Sequence, residues 1–368
     1  MRWFVNPAVR RDDSFRGLFS DDEYSDVRAY FASPASHHSP TPLTELHQIA
    51  RACGIGAIDA KNETNRHGVG AFKILGVSYA VDRIGPDAAR SGLVCATAGN
   101  HGRAVARVAR QKGVPCTIFL PRARTADPME LRTRETRVLG MRQDDATVVN
   151  IDGTYEEAVQ RAAACGAETG ATIVSDTSWD GYEQIPRWIM AGYTQLFEEA
   201  SRQWNARPDV VVVQGGVGGL VCAAASWFAA RYGADRPLIV AAEPEHAACL
   251  LESARAGVAT HVGGTLETLM AGLRCAEPSP IAWPTIASGV DAFVTVTDAQ
   301  ALDALSALAA QEQISAGPSG VCGLAALREI ARDPRLTGLR SFLGAPAHST
   351  GGPSALRALV VITEGAGG

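Results

Sequence analysis

The stretch Val210-Val211-Val212-Val213-Gln214-Gly215-Gly216-Val217-Gly218-Gly219-Leu220 decides the fold, and no charge interrupts the chain from Val210 to Ala230. A run of that length invites reading as a membrane span. Gln214 and the four glycines divide it instead. The β-branched residues before them suit a strand buried on both faces, and the Ala-rich segment after them suits a helix. A strand–loop–helix unit follows, with no membrane association expected.

The same grammar recurs along the chain. Short β-rich runs ending in turns lie at Gly92 to Ala96, Pro115 to Leu120, Thr172 to Val174, Leu238 to Ala241 and Ala358 to Ile362. Helical stretches separate them, among them Tyr155 to Ala164, Pro186 to Gln203 and Ala299 to Gln311. This alternation predicts an α/β fold with open parallel sheets. Ligands of such sheets sit beyond the carboxyl ends of strands, so the chemistry is expected in the turns after these runs. Internal repeats are not evident, and Gly344 to Ser354 reads as a surface loop without assigned function.

Composition bounds the function. A chain of 368 residues, 46% hydrophobic and 20% charged, can build a large core and predicts two domains sharing a seam. Thirty-four Lys and Arg against thirty-nine Asp and Glu give a net charge of −5. That balance argues against a nucleic-acid partner. Eight cysteines are scattered through apolar runs with no CxxC pair and no zinc-ligand spacing, so no metal site is expected. They read as core thiols in a reducing cytosol, and Met1 to Pro7 has no apolar signal region. A cytoplasmic protein is expected.

Three glycine-containing segments carry the functional signal. The cluster Gly215-Gly216-Val217-Gly218-Gly219 lies between strand and helix, where converging N–H groups and the helix dipole favour a phosphate. It fails the Gly-x-Gly-x-x-Gly spacing, since Val221 occupies the last position, and no Walker lysine follows. A single phosphate monoester fits better; a tight turn for close helix packing is the alternative. The turn Thr97-Ala98-Gly99-Asn100-His101-Gly102 suits recognition of a carboxylate or a ring hydroxyl, although Gly-Asn is also an ordinary turn pair. In Asn65 to Gly76, Lys73 stands inside the apolar flank Ala71-Phe72 and Ile74-Leu75. Burial lowers a lysine pKa and makes Lys73 a Schiff-base candidate, with an amine neutral enough to form an imine. A lysine snorkelling from an amphipathic helix is the plain alternative.

The order of lysine, Gly-Asn-His turn, glycine loop and terminal Ile362-Thr363-Glu364-Gly365 resembles the fold-type II pyridoxal-phosphate enzymes, relatives of threonine dehydratase and the tryptophan synthase β chain. Within them the chain is similar to the diaminopropionate ammonia-lyase family. The carrying segments are Pro40 to Leu43, Arg66 to Gly76, Gly99 to Arg103, Ser175 to Tyr182, Ile185 to Tyr193, Glu243-Pro244 and Met270 to Leu273. The stretches Asp176-Thr177-Ser178-Trp179-Asp180-Gly181-Tyr182 and Trp188-Ile189-Met190-Ala191-Gly192-Tyr193 are the most specific of these.

The resemblance implies two open parallel-sheet domains with the active site in the cleft between them. A large cofactor-binding domain would take residues 1–93 and 190–368, and a smaller inserted one 94–189. Pyridoxal 5′-phosphate would be the cofactor and a small amino acid the substrate, in a homodimer. Lys73 would carry the cofactor and act as general base at Cα. Asn100 would bond the ring oxygen, Gly215, Gly216, Val217, Gly218 and Gly219 the phosphate, and Thr363 the pyridine nitrogen. Thr97 and its neighbours Ala98 and His101 would receive the substrate, with Asp176 at its distal group as acid/base or ammonium partner.

Two departures bear on the substrate. The family carries an Asp before its Gly-Asn-His, associated with the D-isomer's proton, where this chain has Ala98 as in threonine and serine dehydratases. It also carries a Glu near the position of Pro318. The reading is therefore an α,β-eliminating ammonia-lyase acting on a β-substituted L-amino acid such as 2,3-diaminopropionate, giving pyruvate and ammonia through aminoacrylate. A β-replacement synthase or a serine/threonine-type dehydratase is the first alternative. A non-catalytic nucleotide-binding module is the second.

Overall fold

A computed structural model describes residues 1–97, 99–122, 128–153, 155–344 and 356–367, with the side chains of 128–130 and 156 excepted. Ala98 and nearly all of the Gly344 to Ser354 segment lie outside the described residues. Eleven strands lie among the described residues: β1 Trp3–Val5, β2 Leu43–Glu45, β3 Ala57–Asn62, β4 Leu93–Ala96, β5 Cys116–Pro121, β6 Thr147–Ile151, β7 Thr172–Ile173, β8 Val210–Gln214, β9 Leu238–Pro244, β10 Ala292–Val296 and β11 Arg357–Ile362. Seven helices concern the site: α1 Lys73–Ile84, α2 Asn100–Lys112, α3 Pro128–Gln143, α4 Gln184–Gln203, α5 Gly219–Tyr232, α6 Cys249–Ala256 and α7 Cys322–Arg332.

The strands form two sheets. One has seven strands in the order β1-β10-β9-β8-β11-β3-β2, and the other has four in the order β6-β5-β4-β7. The small sheet is parallel throughout, and the large one is parallel except where β1 meets β10 and β2 meets β3 at its two edges. The fold is therefore α/β with two parallel-rich sheets, and antiparallel strands lie at both edges of the large one.

Strand β8 explains why four consecutive valines occur. Val211 and Val213 belong to the core that contains α5 and α4, while Val210 and Val212 face the core that contains α7. Successive side chains point to opposite faces, and both faces here are dry. In β3 the charges of Asp59 and Lys61 interrupt the apolar pattern, so the run gives no strand signal although it is almost wholly buried.

Chain connectivity then sets the site. The neighbouring strands β8, β11 and β3 end at Gln214, Ile362 and Asn62 on one rim of the large sheet. That rim presents the glycine loop, Thr363 to Gly365 and the loop leading to Lys73. From the small sheet, β4 delivers Thr97 to Gly102 and β7 delivers Ser175 to Tyr182. Among the described residues no helix is long and apolar enough to cross a membrane.

Candidate active site

The chain has three lysines, Lys61, Lys73 and Lys112. Lys61 is sealed inside, its amine donating to Glu199 and to the Thr41 carbonyl at 2.6 Å each. Lys112 pairs with Asp82 at 3.1 Å on the surface. Only Lys73 opens on the rim between the sheets, at the first turn of α1, with Ala71, Phe72, Ile74 and Leu75 buried around it.

The loop that carries Lys73 is braced from below. Arg66 donates to both Glu63 and Glu199 at 2.7–2.9 Å, and Lys61 and His38 share Glu199. A buried ion pair is tolerable only when its remaining hydrogen-bonding positions are filled, as they are for this guanidinium.

Lys73 is not the neutral amine its apolar flank predicts. Its Nζ lies 2.5 Å from Asp176 Oδ2, with both side chains about one-fifth exposed. Burial pulls the ammonium down, but Asp176, with Tyr193 behind it, outweighs that and holds it above the ordinary lysine value. Asp176 is pushed up by burial and pulled further down by Lys73 and His101, to below the usual carboxylate range. A specific carboxylate overrides a general desolvation effect.

His101 sits beside this pair. Its Nε2–H donates to the Val174 carbonyl at 2.8 Å, and Nδ1 faces Asp176 at 3.9 Å, beyond hydrogen-bond reach. Burial lowers its pKa.

The glycine loop has the form of an anion cradle. Among the described residues the N–H groups of Gly216, Gly218, Gly219 and Leu220 make no backbone hydrogen bond, the last two at the start of α5, while Val217 N–H is directed to the Cys275 thiol. Individual glycines serve different ends. A Cβ at Gly216 would meet Cys275 Sγ at 2.9 Å, on the site's wall. Gly218, at φ +95°, backs onto the core instead, where a Cβ would lie 2.4 Å from Ile286 Cδ1. The missing side chain at this position thus serves packing and backbone conformation. The Cys275 thiol beside the loop is pushed up to about 12 by burial.

Thr363 lies at the end of β11. Gln214 Nε2 donates to its Oγ1 at 2.9 Å and to the carbonyls of Gly320 and Val361 at 3.0 Å each. With its oxygen accepting from Gln214, the hydroxyl keeps its own hydrogen to give, which suits an unprotonated pyridine nitrogen. Sequence reasoning passed over Gln214, although its place at the last residue of a buried strand was a visible signal.

Thr97 is engaged before any substrate arrives. Its N–H goes to the Phe119 carbonyl at 3.0 Å, and its hydroxyl accepts from Gly99 N–H at 3.1 Å. Among the described residues, the carboxylate donors left on this turn are the first N–H groups of α2, from Asn100 onward. Asn100 directs Nδ2 to Glu364 Oε2 at 2.5 Å, and its Oδ1 is buried without a partner. Glu364, which the sequence reading quoted in the terminal motif without a role, puts a second buried carboxylate beside the site.

The Ser175 to Tyr182 segment closes the far side. Ser178 and Ser279 share hydroxyl contacts at 2.9 Å, and Ser279 N–H donates to Val217 O at 2.8 Å, tying Asp176's segment to the glycine loop. Among the described residues no group of His, Cys, Asp or Glu could hold a metal.

The residues fit pyridoxal phosphate: one cleft lysine, a glycine loop with N–H groups that make no backbone hydrogen bond, and a hydroxyl poised to donate at a strand end. A family model described as pyridoxal-phosphate dependent enzyme matches residues 35–341. A diaminopropionate ammonia-lyase of Salmonella typhimurium is 30% identical, over 91% of this chain and 87% of that protein. The crystal structure of the Escherichia coli diaminopropionate ammonia lyase with an aminoacrylate-PLP azomethine reaction intermediate superposes with a TM-score of 0.85 at 27% identity, covering 99% of this chain and 93% of that one. An L-threonine ammonia-lyase of Thermotoga maritima is 29% identical over 74% of this chain and 63% of that protein. The chain belongs to the fold-type II pyridoxal-phosphate-dependent enzymes, and pyridoxal phosphate is its cofactor.

Proposed function

We propose that this enzyme is an ammonia-lyase that catalyses α,β-elimination on 2,3-diaminopropionate, releasing pyruvate and two ammonia with uptake of one water. The observation that carries this reading is the pairing of Lys73 with Asp176 at 2.5 Å in the cleft, which sets a carboxylate where a substrate ammonium can replace that of the lysine. Similarity to the named lyases over nearly the whole chain supports it.

Each residue has a task in this reading. The cradle from Gly215 to Gly219 binds the phosphate, Asn100 the ring oxygen and Thr363 the pyridine nitrogen. The N–H groups at the start of α2 orient the substrate carboxylate, with His101 packed beside them. Bound pyridoxal phosphate supplies the electron sink for the pair left on Cα. Lys73 takes the Cα proton, and the ionised Asp176 holds the distal ammonium, which leaves as ammonia with the electron pair of its bond to Cβ. Residues 94–189 serve as a smaller unit that covers the cleft, and two copies of the chain assemble as a homodimer.

A serine/threonine dehydratase is the second reading, favoured by Ala98 in place of the family's acid and by similarity to the threonine ammonia-lyase. A coupled assay of pyruvate release separates the two. Turnover of 2,3-diaminopropionate well above that of L-serine supports the lyase; the reverse order, or pyruvate release that falls as an added thiol is built into a β-substituted product, overturns it.

A further inference from the structure

We propose that Glu364 is a positioning residue that sets which end of the Asn100 amide faces the cofactor's ring oxygen, and that Arg137 holds it in that role. The inference deepens the reading of Asn100 given above and rests on it.

Glu364 is 2% exposed at the end of β11, on the large sheet. Three donors converge on it. Ser319 N–H reaches Oε1 at 3.1 Å, while Arg137 Nη2 and Asn100 Nδ2 both reach Oε2, at 3.2 and 2.5 Å. Arg137 belongs to α3 and Asn100 to α2, so two of the three arrive from the layer built on the small sheet. Helix α2 carries further links of this kind: Arg103 and Arg107, at i+3 and i+7 from Asn100, reach the carbonyls of Gly367 and His67 at 3.2 and 2.6 Å.

An asparagine amide presents either a donor or an acceptor, and only its surroundings choose. An ionised carboxylate accepts and never donates, so Glu364 admits the nitrogen of Asn100 and excludes the oxygen. One hydrogen of Nδ2 is consumed there and the second is left to donate. A ring oxygen bearing negative charge needs such a donor. A reversed amide would turn the Asn100 carbonyl toward it and repel it. Glu364 also pairs through its backbone with Ala71, two residues before Lys73, so the amide and the lysine share one mount.

The substitution Glu364→Gln keeps the shape but gives the position a donor, so one of its contacts must fail or Asn100 must reverse. We expect the variant, loaded with pyridoxal phosphate, to shift the pH titration of its visible absorption band as Asn100→Ala does. Its cofactor Kd is expected to rise about tenfold. The double variant is expected to behave as Asn100→Ala alone. Arg137→Met, which leaves Glu364 in place, should move the band in the same direction by less, and it serves should the first variant not fold. A Glu364→Gln enzyme that titrates as wild type while Asn100→Ala shifts overturns the proposal, as does a double variant whose effects add. An unshifted Asn100→Ala enzyme instead overturns the reading of Asn100 on which it rests.

Discussion

Replacement of Gly218 by alanine should destabilise the protein whether or not cofactor is bound. At φ +95° and ψ 0° the position lies in left-handed space, where an L side chain costs about 1–2 kcal/mol. The new Cβ would also stand 2.4 Å from Ile286 Cδ1 and 3.3 Å from Leu250 Cδ2, and overpacking of this kind costs about 1–3 kcal/mol. The sum, roughly 2–5 kcal/mol, corresponds for 368 residues to a fall in Tm of roughly 3–6 °C. Calorimetry on cofactor-free and loaded protein reads it directly. Trimming the opposing side chain in Gly218→Ala/Ile286→Val should return part of the packing cost and none of the backbone cost. A Gly218→Ala protein that melts as wild type without cofactor, yet loses cofactor binding, would refute the reasoning.

Three further expectations can be checked. Gln214→Leu removes the donor shared by Thr363 and two carbonyls. It should cost about 1–3 kcal/mol by urea unfolding and shift the visible band of the bound cofactor, because the Thr363 hydroxyl is freed to turn. Glu243, accepting from Leu250 and Leu251 N–H at the start of α6, is pushed by burial from 4.5 up to about 8. The folded state therefore keeps a proton that the unfolded chain has lost. This contribution is fully present below about 4.5 and is lost as pH rises through about 8, so Tm should fall across that window and fall less in Glu243→Gln. Finally, Asp176 lies on the Lys73 side of the cleft and residue 98 is alanine. The kcat/KM for L-2,3-diaminopropionate should therefore exceed that for the D-isomer by about 100-fold or more; comparable values would point to an unrecognised second base.

Much of this site was legible in the sequence because its parts lie at strand ends, and strand ends announce themselves by glycine and by a change of hydrophobic period. Val210 to Leu220 gave both strand and loop, and Lys73 stood out as a charge in an apolar run. What was not legible depends on pairs distant in the chain. Asp176 meets Lys73 across 103 residues, and Glu364 meets Asn100 across 264. Strand β3 was hidden because Asp59 and Lys61 break its pattern, and Lys61 is satisfied only by Glu199 from α4. Gly218 looked like its neighbours, since one letter does not say whether a missing side chain makes room for a ligand or for Ile286.

The central claim is that Lys73 carries the cofactor. With three lysines in the chain, one locked to Glu199 and one on the surface, reduction by borohydride followed by peptide mapping can distinguish them all. The account predicts a yellow protein whose colour bleaches on reduction, with the reduced pyridoxyl group on Lys73 and none on a Lys73→Ala protein. A stoichiometric adduct on Lys61 or Lys112 would contradict it.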